Sequence, residues 1–328
     1  MSSSMMPDTR TARALLHEIG MVVAEDHIEP VQSGSINTTF RVLQGKEPPL
    51  FLRISPSDAE VAAGPGWMTA HGLRQEQTAI GMLEPLQDIL PRTVHTDWSR
   101  TVIERDWVVQ TQVHGTPWTD IQHELTEEED LDLWRQLGEI LRAMHATRGA
   151  EFGPPVEGFG HASLSELVRW DVTGFLVDAQ RFDIDPEPFQ RLVELVNHSV
   201  KILDEVVEAR LIHSDLQQHH VFVRRTAPGA VEITGLIDLE FARFSDPGAE
   251  SIFVTYELEG DPEGSLAAFC QGYECYSPSH DDRIRLAIHA LTALGWAATD
   301  LHRVGQREKI PEILHAMNER LDREEGFL

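Results

Sequence analysis

The chain has 328 residues, 41% of them apolar and 25% charged, which is enough for one large domain or two lobes around an ample core. Fifty-four acidic against 27 basic residues give a formal charge of −27, which argues against nucleic acid as a partner, because binding its phosphates relies on basic patches. No run approaches the roughly 18 apolar residues of a membrane span, and the opening MSSSMMPDTR has no basic region followed by an apolar core, so a cytoplasmic protein is expected.

Residues 8–21 read as an amphipathic helix capped by Asp8, with Ala14, Leu15, Ile19 and Val22 near helical spacing. Strands follow over 28–31, 36–43 and 49–54. Between the first two lies Gln32-Ser33-Gly34-Ser35-Ile36-Asn37, a turn of small residues whose backbone N–H groups can approach a phosphate closely, although most such turns are plain hairpins. The third strand, Leu50-Phe51-Leu52-Arg53-Ile54, buries apolar neighbours yet carries one cation.

Residues 67–86 read as a helix with Leu73, Ala79, Ile80 and Leu83 on its apolar face, led in by Gly64-Pro65-Gly66. Two further strands lie near 89–95 and 102–113, and 115–117 is the expected boundary between lobes. An acidic helix start at 124–133 suits the positive end of the helix dipole, and the helix continues through Trp134, Leu137, Ile140, Leu141, Met144 and His145. His145 reads as a packed structural histidine. A Gly- and Pro-rich loop at 151–165 precedes helices over 167–178 and 186–207, and three more are expected over 266–276, 282–303 and 310–323. Cys270 and Cys275, with no metal-type spacing to histidines, read as two reduced, half-buried thiols.

The stretch 211–250 carries the chemistry. His213, Asp215, His220 and Asp238 are interleaved with short apolar strands, and the turn Pro228-Gly229 would bring Asp238 back beside the loop at 213–220. Carboxylates and a histidine around one point are what a cation carrying phosphates requires. His219 is expected to point away from His220 along a strand and to be structural.

His213-Ser214-Asp215-Leu216, His220, Ile237-Asp238-Leu239-Glu240 and Ser245-Asp246-Pro247 resemble, in order and spacing, the aminoglycoside phosphotransferase family of small-molecule kinases. That family's pattern is His-Gly-Asp-Leu, three residues, Asn, then Ile-Asp-Trp-Glu and Gly-Asp-Pro. Ser214 stands for Gly, Leu239 for Trp and His220 for Asn.

The resemblance implies an α+β, two-lobed, protein-kinase-like fold. Residues 1–114 would form a small nucleotide-binding lobe with an antiparallel sheet, ending in a hinge. Residues 115–328 would form a larger, mainly helical lobe with the catalytic loop and substrate site. It implies Asp215 as the residue that orients a substrate hydroxyl, Asp238 and His220 as ligands of Mg2+ or Mn2+, and ATP or GTP as co-substrate. Ser33, Gly34, Ser35 and Arg53 would face the phosphates, Glu76 would pair with Arg53, and the Thr111 and Val113 backbone would hold the base. His213 and Asp246 would brace loops.

His220 admits three readings: a metal ligand of altered preference, a holder of a metal-bound water, or a degraded second site. The acceptor is expected to be a small molecule and, from the acidic balance, a cationic one such as a basic antibiotic, with resistance or self-protection as the role. Glu240, or acids within 157–187 and 261–282, could bind its ammonium groups. Two alternatives stay open: a metal-dependent hydrolase built on His213, Asp215, His219, His220 and Asp238, and a kinase-like binding protein without transfer activity. Substrate, nucleotide preference and oligomeric state are not set by the sequence.

Overall fold

The computed structural model describes residues 6–31, 36–227, 229–261, 264–275 and 277–325. The chain opens with α1 (Thr9–Glu18), then three strands, β1 (Ile28–Val31), β2 (Thr38–Gln44) and β3 (Glu47–Ile54). Helices α2 (Asp58–Ala63) and α3 (Gly72–Met82) separate these from β4 (Thr93–Asp97) and β5 (Trp107–Thr111). The five strands form one antiparallel sheet in the order β1-β2-β3-β5-β4.

Next come β6 (Thr116–Pro117), α4 (Trp118–Ile121), α5 (Glu127–Met144), α6 (Leu164–Arg181), α7 (Glu187–His198) and α8 (Val200–Leu203). The short strand β7 (Arg210–Ile212) leads to the hairpin of β8 (Val221–Ala227) and β9 (Ala230–Leu236), and β10 (Arg243–Ser245) returns antiparallel to β7. Helices α9 (Ser251–Glu259), α10 (Ser265–Tyr273), α11 (His280–Arg303) and α12 (Ile310–Glu325) follow. This is the expected α+β, two-lobed arrangement, a small sheet followed by a larger, mainly helical part.

Local chemistry accounts for the main elements. Asp8 caps α1, accepting from the Thr11 amide at 2.8 Å. A reciprocal capping box of Thr126 and Glu129 starts α5. Along β3 the alternation of the pleat buries Leu50, Leu52 and Ile54 in the cluster that holds Ala12, Leu15 and Leu16 of α1, and sends Arg53 to the opposite face. Burying each such leucine stabilises the fold by about 1.5–3 kcal/mol. A larger apolar cluster runs through α5, α6, α7, β8, β9, α11 and α12. Helix α3 joins the two: Ala79, Ile80 and Leu83 belong to the larger cluster, while Glu76 reaches back to the sheet.

Several expectations change. The buried face of α1 is Ala12, Leu15 and Leu16; Ala14 is exposed, and Val22 is 88% exposed because the helix stops at Glu18 and Gly20 (φ 78) turns the chain away. The single helix expected over 186–207 breaks at buried Ser199 into α7 and α8. Helices α2 and α9 and strand β10 had no counterpart in the sequence reading, because they are short or lack a clear period. Pro228 and Tyr276 lie outside the described residues. Cys270 and Cys275 are joined by a disulfide rather than being free thiols. Helix α10 ends at Tyr273 and Glu274 adopts a left-handed conformation (φ 65), which folds Cys275 back to a Cα–Cα distance of 4.8 Å from Cys270.

Helices α5 and α10 touch backbone to backbone. A Cβ on Gly138 would collide with the Phe269 carbonyl and the Tyr273 amide, atoms that belong to helix α10 and have little freedom to retreat. Gly138→Ala is therefore expected to destabilise the protein by about 1–3 kcal/mol. A urea midpoint equal to that of the parent would show that α10 moves aside freely.

Candidate active site

The site is built from β3, α3 and β5 on one side and the loops after β7 and β9 on the other. Arg53 reaches out of β3 so that Nη1 lies 2.5 Å from Glu76 Oε2, while Nη2 lies 2.9 Å from Asp238 Oδ1 and 3.6 Å from Glu240 Oε2. Glu76, fully buried on α3, accepts a second bond from Gln110 Nε2 of β5 at 2.8 Å. Asn37, just after the small-residue turn, donates its side-chain amide to Glu240. One guanidinium thus compensates three buried or half-buried carboxylates.

Asp238, two residues beyond the end of β9, lies in the left-handed region (φ 69), a conformation Asp tolerates better than most residues. Its carboxylate stands between Arg53 and His220, with His220 Nε2 3.4 Å from Asp238 Oδ2. Asp215, His220 and Asp238 each offer a ligand atom within 4.8 Å of the others. The orientation of His220 is fixed from behind. Its Nδ1 donates to the Asp215 backbone carbonyl at 2.8 Å, so Nε2 presents a lone pair to the cluster when the ring is neutral. Two carboxylates and one imidazole nitrogen fit a divalent cation: the oxygens suit Mg2+, and the nitrogen is better accepted by Mn2+ and other first-row ions.

The electrostatics follow from burial and neighbours. Burial pushes the Asp215 carboxyl above its ordinary value, against the hydrogen bond from Gln217 and the nearby His220. Burial lowers the His220 pKa despite Asp238, which keeps the ring neutral and its lone pair available. For Asp238 burial is overridden by Arg53, and the net shift is downward. Glu240 moves the other way: burial and then Asp238 push it up to about 8, and Arg53 offsets only part of this.

The loop carrying Asp215 is held by groups far away in sequence. Glu250, fully buried, accepts from the His213 amide at 2.7 Å and the Ser214 amide at 3.1 Å. The Leu216 amide donates to Ser251 Oγ at 2.8 Å. His213 donates from Nε2 to the Ile237 carbonyl at 2.9 Å, tying this loop to the strand end that bears Asp238. Ser214, at the position of the family glycine, takes the left-handed conformation itself (φ 68). Behind Glu250 stands His145, whose Nε2 lies 3.3 Å from Glu250 Oε2. Asp246 accepts from the Gly248 amide and from His289 Nε2, both at 3.0 Å, bracing the loop before α9.

Of the residues singled out in the sequence, Arg53, Glu76, Asp215, His220 and Asp238 converge. Ser33, Gly34 and Ser35 lie outside the described residues. Thr111 ends β5 with its amide bonded to the Arg92 carbonyl at 2.9 Å and its Oγ1 accepting from the Arg92 amide at 3.0 Å, and the buried Val113 side chain closes on Gly235, so these side chains are structural. Residues 218–220 form a 3-10 turn rather than a strand; His219 is exposed and His220 buried, with their rings 4.0 Å apart. Glu240 is corrected from a candidate for binding substrate ammonium groups: it is buried against Arg53 and Asn37. Gln110 and Asn37 had no assigned role; the signal for Gln110 was an uncharged polar residue inside an otherwise apolar strand.

A cation–glutamate pair beneath a five-stranded antiparallel sheet, set against a loop with His-x-Asp and a strand-end aspartate, defines a protein-kinase-like small-molecule transferase. The sequence profile of the phosphotransferase enzyme family (APH) matches residues 27–289, and the chain belongs to that family. A comparison with curated proteins finds no match. Among solved structures, the thermostable APH(4)-Ia variant in ternary complex with AMP-PNP and hygromycin B is 16% identical, covers 95% of this chain and 98% of its own, and superposes with a TM-score of 0.67. The GDP and kanamycin complex of APH(2")-IIia is 17% identical over 95% and 98%, with a TM-score of 0.67. A putative fructosamine-3-kinase from Thermobifida fusca is 18% identical over 95% and 100%, with a TM-score of 0.64. These likenesses bear on the fold.

The brace can be tested through acid stability. Burial alone would raise Glu250, but the hydrogen bond and charge of His145 hold it below its ordinary value of 4.5. Between the folded and unfolded values the unfolded chain binds more protons, so this stabilisation is present above the unfolded value and is lost as pH falls through the folded one. Glu250→Gln offers one acceptor oxygen where two are in use and is expected to cost about 1–3 kcal/mol near pH 7. The deficit should shrink in acid. Urea midpoints at neutral and acid pH check this, and a deficit independent of pH would contradict it.

Proposed function

We propose that this protein transfers the γ-phosphoryl group of ATP or GTP to a hydroxyl of a small basic molecule. The observation that carries the reading is the single guanidinium of Arg53 joining Glu76 of α3 to Asp238, with Asp215 and His220 around the same point. Phosphoryl transfer asks a protein for in-line positioning and for compensation of phosphate charge rather than for covalent chemistry. Residues 1–114 would hold the nucleotide and 115–328 the acceptor, with the Thr111 carbonyl and Val113 backbone against the base and Ser33, Gly34 and Ser35 over the phosphates.

In this reading Arg53 contacts the phosphates and Glu76 with Gln110 keeps it aimed. Asp238 and His220 Nε2 hold Mg2+ or Mn2+, which when bound neutralises charge between the phosphates. Asp215 accepts a hydrogen bond from the acceptor hydroxyl, orients it and takes its proton late. Burial raises its pKa, which makes it a better proton acceptor than an ordinary carboxylate. The net charge of −27 favours a cationic acceptor, basic antibiotics included, with resistance or self-protection as the role and the cytoplasm as the site of action. Such capture weakens with salt. A metal hydrolase on the same cluster would leave the buried Arg53–Glu76–Gln110 chain without a task.

The test is transfer of labelled γ-phosphate from ATP and GTP to a panel of hydroxyl-bearing amines. Asp215→Asn is expected to lower transfer by about 10²–10⁴ while nucleotide affinity stays within a few-fold. Full transfer by Asp215→Asn would remove the carboxylate from the proposed chemistry.

A further inference from the structure

We propose that the Cys270–Cys275 disulfide is a redox control on the loop that bears Asp215, acting through Tyr273 as a positioning residue. Its consequence for catalysis rests on the kinase reading above; its structural part does not. The connection is continuous. The Tyr273 hydroxyl lies 2.8 Å from His145 Nδ1, His145 Nε2 lies 3.3 Å from Glu250 Oε2, and Glu250 binds the amides of His213 and Ser214. The Glu250 carboxylate only accepts, so His145 carries a proton on Nε2, and its Nδ1 meets the tyrosine hydroxyl, a group that both donates and accepts. A second link runs through rings: Tyr273 stacks on Phe269 at 5.4 Å and meets Phe253 edge-on at 5.3 Å, and Phe253 lies in the first turn of α9, the helix that Glu250 caps.

Tyr273 is the last residue of α10, and the disulfide spans that last turn. Beyond it Glu274 sits at φ 65, a conformation unfavourable for a residue with a Cβ. The pair between Glu274 and Arg142 is largely exposed and contributes little, and the Glu274 and Cys275 amides also bond the Cys270 carbonyl at 2.9 and 3.2 Å. Reduction by a dithiol delivers two electrons and two protons to the S–S bond, leaving thiols at Cys270 and Cys275 and the reductant as its own disulfide. The turn then relaxes from the left-handed step, Tyr273 loosens from His145, and Glu250 holds the His213 and Ser214 amides less firmly. Persistent disulfides belong to oxidising compartments, whereas in reducing ones they are transient and often redox-sensing, so a bond placed behind a catalytic loop suits a switch.

The experiment is amide hydrogen exchange of the full chain, read by mass spectrometry over residues 211–217, before and after dithiothreitol, with alkylation to count thiols. Reduction is expected to speed exchange in this segment roughly fivefold or more. Oxidised Tyr273→Phe should match the reduced parent, and Cys270→Ser with Cys275→Ser should be fast and indifferent to reductant. Unchanged exchange after the bond is shown to be broken overturns the proposal, as does a chain that alkylates fully without reductant. Nucleotide hydrolysis, which needs no identified acceptor, supplies the second readout: kcat should fall on reduction with the nucleotide KM unmoved. If neither form shifts in melting temperature with any nucleotide and metal pair, the kinase reading fails while the exchange comparison still decides the switch.

Discussion

Three carboxylates, from Glu76, Asp238 and Glu240, stand within reach of one cation, Arg53, and the protein has little solvent there to screen them. Removing one partner of such a buried set costs about 3–5 kcal/mol, far more than an exposed pair is worth, because the charges left behind have no compensation. The constraint reaches outward in both directions. On one side it requires β3 to present Arg53 opposite its apolar residues and α3 to bury Glu76, with Gln110 occupying the second oxygen. On the other it requires Asp238 to leave β9 in a left-handed step. Burial, and then the neighbouring Asp238, push Glu240 up to about 8. A site with more carboxylates than cations is suited to receive a metal cation.

The loop that bears Asp215 is organised by a different device. The loop from His213 to Leu216 has few bonds of its own and borrows its rigidity from Glu250 and Ser251 at the start of α9. His213 then couples that loop to Ile237, next to Asp238. Asp215 and Asp238 are therefore held relative to each other by the side chains of His213, Glu250 and Ser251 bonded to backbone groups. His220 belongs to the same frame. Its hydrogen bond to the Asp215 carbonyl fixes which nitrogen faces the cluster, so the imidazole presents one acceptor atom where the family asparagine presents an oxygen.

Much of this was legible in the sequence because it depends on local spacing. The 213–220 and 237–247 segments carry their candidate ligands in fixed register, the apolar period of 67–86 indicated the helix, and the family resemblance implied that its Glu76 pairs with Arg53. What escaped depends on contacts between distant parts. Glu250 reads from the sequence only as one of several carboxylates near the cleft, until the His213 and Ser214 amides are seen to end on it. Gln110 becomes part of the site only because β5 lies beside β3. The cysteine pair was misread because its closure depends on a left-handed Glu274, which no residue type at 274 announces. The broken helix at Ser199 and the short α2 fail for a related reason: too few residues to establish a period.

The central claim is that Arg53 and Asp238 form a nucleotide–metal site shared between the two parts of the chain. Thermal stability against ATP and GTP, each with Mg2+ or Mn2+, in the parent and in Asp238→Asn, tests it most directly, because a ligand that binds only the folded state raises its stability by mass action. The account predicts a metal-dependent rise in melting temperature that Asp238→Asn abolishes. No rise with any nucleotide and metal pair, or an equal rise in the variant, would contradict it.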